Sequence, residues 1–158
     1  MAISKITTNS VGAGTITQPL MGTNVAGNGP AFSAYQSVAQ TLASGTFTKI
    51  TFTSVEFDTT AGMYASSRFT PTVAGYYQVN SAVAKPSGLI EILVAIYKNG
   101  AEYKRGVDNV SYSSLVSCIV YLNGTTDYIE TYCYMSTGAI TWATSAGTWF
   151  QAFLARSA

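Results

Sequence analysis

From residue 31 onward apolar and polar residues alternate in short runs broken by turn residues, the pattern of strands that bury one face. Ala31 to Ser37 is the first such run. Thr46 to Phe57 sets Phe47, Lys49, Thr51, Thr53, Val55 and Phe57 on one face and Thr48, Ile50, Phe52, Ser54 and Glu56 on the other, which predicts one long strand. Ser67 to Thr70 leads into Pro71, and Gly75 to Ala84 forms a central strand. Leu89 to Lys98 runs into Asn99-Gly100, a pair suited to the positive φ angles of a two-residue hairpin turn, and Ala101 to Gly106 returns. Ser113 to Leu122 turns at Asn123-Gly124 into Asp127 to Met135; Ala139 to Ala143 is a short strand, and Thr148 to Arg156 closes the domain. No stretch sustains the i, i+3, i+4 spacing of an amphipathic helix. The expected fold is all-β: an antiparallel jelly-roll sandwich of about 8–10 strands.

Residues 1–30 lack either period. Val11-Gly-Ala-Gly-Thr15 and the segment from Gly22 to Pro30 are rich in turn formers, so this region reads as an extended N-terminal arm or anchor ahead of a domain at 31–158. Ile3, Ile6, Ile16, Leu20 and Met21 offer side chains that a neighbouring subunit would cover. A loose terminus is the other reading.

Three motifs in order resemble the jelly roll of the complement globular head and tumour necrosis factor superfamily. They are Ala31-Phe32-Ser33-Ala34-Tyr35, Phe69-Thr-Pro-Thr-Val-Ala-Gly-Tyr-Tyr-Gln-Val79 and Thr148-Trp149-Phe150-Gln151-Ala152-Phe153-Leu154. The resemblance spans residues 31–156 and implies a homotrimer that presents loops to partners and does no chemistry. It also implies that one ring of Tyr76-Tyr77 enters the sandwich and the other the subunit seam, and that Trp149 is buried. Some relatives hold calcium near the trimer axis, but no matching acidic cluster is found here. The Gly124-Thr-Thr-Asp127 loop is longer than in many relatives.

Only 9% of residues are charged, against about 25% in ordinary soluble proteins, so Thr and Ser carry the polarity. Much of the surface is therefore expected to be covered in an assembly. Net charge is +1 and the basic residues are scattered, which argues against a nucleic-acid partner. No apolar run reaches the ~18 residues of a membrane span, and the first residues do not form a secretory signal.

The chain has no histidine, which removes the commonest general base and metal ligand. Cys118 and Cys133 fall in phase with apolar neighbours and read as core residues; spacing alone does not establish whether they pair. Glu56 and Asp58 share a strand face, a spacing open to a carboxylate pair or a cation, with solvated strand-end charges the commoner reading. Asp127 and Glu130 stand at the start of one strand. No catalytic residue, metal or cofactor is expected.

Tyrosine is in excess. Tyr128, Tyr132 and Tyr134 share a face opposite Ile129 and Cys133, and with Tyr76 they are candidates for a subunit interface. Tyr103, Tyr112 and Trp142 are candidate ligand contacts. The ligand loops are expected at 85–88, 102–111 and 136–145. The leading expectation is a bacteriophage virion protein: a trimeric head or tail fibre, held to other virion proteins by residues 1–30 and adhering to a host surface glycan. It would be made in the host cytoplasm without a signal peptide. A decoration protein that clamps the capsid and a cellular lectin-like binding module are the alternatives.

Overall fold

A computed structural model describes residues 28–158, so the expected arm lies outside the described residues apart from its last three. The described chain forms fourteen strands. They are β1 Ala31–Tyr35, β2 Thr41–Leu42, β3 Thr48–Lys49, β4 Ser54–Asp58, β5 Tyr64–Ala65, β6 Arg68–Phe69 and β7 Gly75–Ala84. Then follow β8 Ile90–Lys98, β9 Ala101–Arg105, β10 Asn109–Ser111, β11 Ser113–Leu122, β12 Ile129–Met135, β13 Ala139–Ile140 and β14 Trp149–Ser157.

One large sheet has the order β11-β7-β14-β1-β4; a second runs β10-β8-β12-β6-β5, with β3 also on β12 and β9 on β8, and β13 pairs with β2 as a separate two-stranded ribbon. All recorded pairings are antiparallel. Sequence neighbours such as β7 and β8, or β11 and β12, lie in opposite sheets, which is the jelly-roll connection. The inner faces close on one apolar core. Phe32 stacks on Tyr64 and on Phe69, each at 4.6 Å, and meets Phe150 edge-on at 4.9 Å. Complete burial of a ring such as Phe32 contributes about 2–3 kcal/mol.

The strands β7 and β11 occupy the predicted spans, and Asn99-Gly100 closes the β8–β9 hairpin with φ of 53° and 81°. Asn123-Gly124 does not close a hairpin. Asn123 Oδ1 instead accepts the N–H groups of Thr125, Thr126 and Asp127, shaping a loop that carries the chain between sheets.

The long strand expected from Thr46 to Phe57 is two pieces, β3 in one sheet and β4 in the other. After one backbone bond, from Ile50 N–H to Thr131 O, the backbone between them is held by side chains rather than by a ladder. Gln40 Nε2 donates to Lys49 O while Gln40 Oε1 accepts Thr51 N–H, both at 2.9 Å. Gln36 Nε2 donates to Thr51 O, and Ser67 Oγ accepts Phe52 N–H. Gln36 is itself buried and accepts a hydrogen bond from Thr141 Oγ1. Ile50 and Phe52 cross between the layers as core residues.

Both cysteines are free thiols, on strands of different sheets. Cys133 is in the core, where burial pushes its thiol up to about 12. Cys118 is only half-buried against that core, because β11 is an edge strand. Trp149, expected to be buried, is partly exposed, since its side of β14 faces away from the core.

Candidate interaction face

The outward face of the five-stranded sheet is built from residues opposite in phase to the core. On β11, Val116, Val120 and Leu122 point inward, which leaves Leu115, Ile119 and Tyr121 outside, 53%, 56% and 41% exposed. The sequence signal for this face was a strand apolar in both phases. Register sets these residues in rows. Tyr121 lies opposite Tyr76, and Tyr76 opposite Arg156; Ile119, Gln78 and Phe153 form the next row. Leu115, Ala82 and Trp149 form another toward the far end.

A polar row separates the apolar ones. Ser117, Asn80, Gln151 and Ser33 are successive partners across four strands. Ser117 Oγ donates to Asn80 Oδ1 at 2.8 Å, and Gln78 Nε2 donates to both Asn80 Oδ1 and Ser117 Oγ. Ser33 Oγ donates to Glu56 Oε2 at 2.6 Å.

Tyr76 is a member of this face, with its ring 5.4 Å from that of Tyr121, while Tyr77 fills the core and donates to Val73 O. The other tyrosines grouped with Tyr76 from the sequence lie on the opposite sheet. Tyr132 stacks on Tyr97 at 3.9 Å, Tyr134 meets Phe47 at 5.7 Å, and the Arg68 guanidinium lies 3.8 Å from the Tyr128 ring centroid. This stripe surrounds Glu130, whose Oε1 accepts from Lys49 Nζ and Arg68 Nε at 2.6 and 2.9 Å. Burial pushes the Glu130 carboxyl up, but the two cations more than offset it and hold it below the ordinary range.

Of the three candidate ligand contacts, the fold brings two together. Trp142 N–H donates to Ala84 O and Lys85 N–H to Tyr112 O, so Trp142 and Tyr112 flank the end of β7. Tyr103 sits apart, donating to Ile119 O. Trp142 and Trp149 line a groove of about 660 Å³ with Val107, Leu115, Ala82 and Ala84. Val107 lies in the expected 102–111 loop, between β9 and β10, whereas Leu115 reaches the groove from β11 and had no local signal.

The carboxylates are engaged in architecture. Asp58 accepts the N–H groups of Thr60, Gly62 and Tyr64 and so caps the turn into β5, away from any pairing with Glu56. Asp127 accepts from Asn99 Nδ2 and Lys98 Nζ. Among the described residues no group of three or more His, Cys, Asp or Glu gathers to hold a metal. No helix there is long and apolar enough to cross a membrane.

No protein-family model matches the sequence, and no curated protein matches it. Solved structures do share the fold. Murine APRIL at pH 5.0 superposes with a TM-score of 0.62 at 11% identity, covering 79% of this chain and 98% of that one. The Eiger TNF of S. frugiperda gives 0.59 at 9% identity, covering 82% and 92%. The globular domain of zebrafish complement 1qA gives 0.55 at 16% identity, covering 82% and 98%. The chain is thus an all-β antiparallel jelly roll of the TNF and complement type. These neighbours overturn the expectation of a bacteriophage fibre, knob or decoration protein, since they are animal TNF and complement domains rather than particle components. With that expectation goes the anchoring of residues 1–30 to virion proteins.

Proposed function

We propose that this chain is a non-enzymatic binding module that assembles as a homotrimer through one end of the outward face of β11, β7 and β14, the end that carries Tyr76, Tyr121, Ile119 and Phe153, leaving the Leu115–Trp149 end open. It recognises a receptor or a glycan with surfaces outside that seam. One observation carries the reading. Ile119, Tyr121, Tyr76 and Phe153 form one exposed apolar patch, bordered on one side by the neutral row through Ser117 and Asn80 and at its end by Arg156. A monomer rarely leaves such a face uncovered. The number three comes from the resemblance to the complement and TNF heads, and the receptor-binding or lectin-like role from the structures that share the fold.

Light scattering tests the assembly. Wild-type protein at micromolar concentration should have three times the chain mass, and I119R should be a folded monomer. Tyr134→Arg, on the opposite sheet, should leave the mass unchanged. A wild-type monomer, or an I119R trimer, sinks the proposal.

A further inference from the structure

We infer that the groove between Trp142 and Trp149 is a binding site for a neutral saccharide, an inference that rests on the binding-module reading above and names its ligand class. The groove's volume of about 660 Å³ falls within the ~300–1,000 Å³ of small-ligand sites. The small side chains of Ala82 and Ala84 in its lining leave that space open. The Trp142 indole is 52% exposed, yet it is held in place. Its backbone N–H is bound to Ala84 O at 2.8 Å. The ring also rests where Gly147 has no side chain, and a Cβ there would lie 3.2 Å from Trp142 Cε3. An exposed aromatic fixed in this way loses little freedom on binding.

The polar lining completes the argument. The Asn109 amide and the Ser113 hydroxyl make no side-chain hydrogen bond among the described residues. No lining residue carries a charge. The cation next in sequence to Ala84, Lys85, is 3% exposed and donates to Ser87 O. A pyranose offers an apolar C–H face to an indole and neutral hydroxyls to amides and hydroxyls at a rim. A purely apolar ligand would leave those rim groups unpaired, and an anionic one would find no cation to meet it.

The chain's only two tryptophans both line this groove, so the intrinsic emission of the full-length protein reports on it directly. The experiment titrates gluco-, galacto- and manno-configured neutral oligosaccharides, with sialylated and uronic-acid oligosaccharides as charged comparisons, while light scattering records the mass of the same sample. At least one neutral series should shift the emission and protect it from acrylamide, with saturation. W142A should weaken that response at least about tenfold through the lost apolar contact, with circular dichroism and mass unchanged, and W142F should retain part of it. The inference is overturned by a response to acidic sugars alone, by a response only to an apolar dye, or by tryptophans already shielded from acrylamide before sugar is added. A monomer that still responds would remove the trimer and leave this site; an unresponsive trimer would do the reverse.

Discussion

Lys49 and Glu130 stand 81 positions apart in the chain and meet at 2.6 Å, with Arg68 donating to the same carboxylate oxygen. Three strands, β3, β6 and β12, are thereby tied at one point whose carboxylate is nearly inaccessible while its cations reach water. Glu130→Ala should cost about 2–3 kcal/mol in urea denaturation, below the figure for a fully buried pair because solvent screens the cations. A loss under 0.5 kcal/mol would show the tie to be ornamental.

Acid should weaken the same tie. The folded carboxyl titrates below its unfolded value, so its contribution is complete at neutral pH and disappears as pH falls through the ordinary carboxylate range, from about 5 downward. Asp127 acts in the same sense, held low by Asn99 first and then Lys98. The thermal midpoint of the wild type should fall on acidification from pH 6 to about pH 3, and Glu130→Gln should show a shallower fall.

Two buried tyrosines should respond oppositely to losing a hydroxyl. Tyr77 donates to Val73 O at 2.7 Å, so Tyr77→Phe should cost about 1 kcal/mol. The Tyr64 hydroxyl meets no acceptor among the described residues, and burial pushes it up to about 12. Ser67 lies near enough to temper that shift, but its hydroxyl is engaged with the Phe52 backbone rather than with Tyr64 in hydrogen-bond geometry. Tyr64→Phe should be neutral or slightly stabilising by the same denaturation assay, and a loss near that of Tyr77→Phe would contradict the contrast.

Gly147→Ala tests what holds the Trp142 ring. The new Cβ would lie 2.8 Å from Thr144 Cγ2 and 3.3 Å from Ala84 Cβ as well as against the indole. The substitution should cost about 1–2 kcal/mol and change tryptophan emission and acrylamide quenching in the folded protein. Unchanged quenching would mean the ring is not held there.

The loop between β11 and β12 offers a graded pair. Asn123→Ala removes the acceptor of three backbone N–H groups and should cost about 1–2 kcal/mol. Gly124→Ala should cost more. Gly124 has φ of 72°, and a Cβ there would lie 2.5 Å from Ala74 N, which is backbone and cannot step aside. Equal costs would argue that the loop yields.

The parts of the fold legible in the sequence are those whose hydrogen bonds run strand to strand. In β7 and β11 the alternation of Tyr77, Val79 and Val83, or of Val116, Val120 and Leu122, reflects a ladder and a single core. Where side chains replace the ladder, alternation misleads. Residues 50–53 alternate as well as any strand, yet side chains of Gln36, Gln40 and Ser67 hold the chain there as a crossing between sheets. The β5–β6 hairpin turns on Ser66 and Ser67, with φ of 52° and 59°, where no glycine or asparagine announces it. Tyr76 and the Tyr128–Tyr134 stripe looked like one group because the sequence does not show which sheet each strand joins. Trp142 was legible as a surface aromatic in a loop; its groove was not, because Leu115, Ala82 and Trp149 come side by side only through sheet pairing.

The amide and hydroxyl row through Asn80, Gln151 and Ser117 has a bearing on self-recognition. A uniformly greasy sheet would adhere to almost any other such sheet, in any alignment. Here a copy sliding by one cross-strand row would press Asn80 against Ile119 or Leu115, stripping water from an amide with nothing to replace it. In the trimer proposed above such a row would penalise alignments that bury its amides without partners, and so work against the indiscriminate clumping that exposed aromatics otherwise invite.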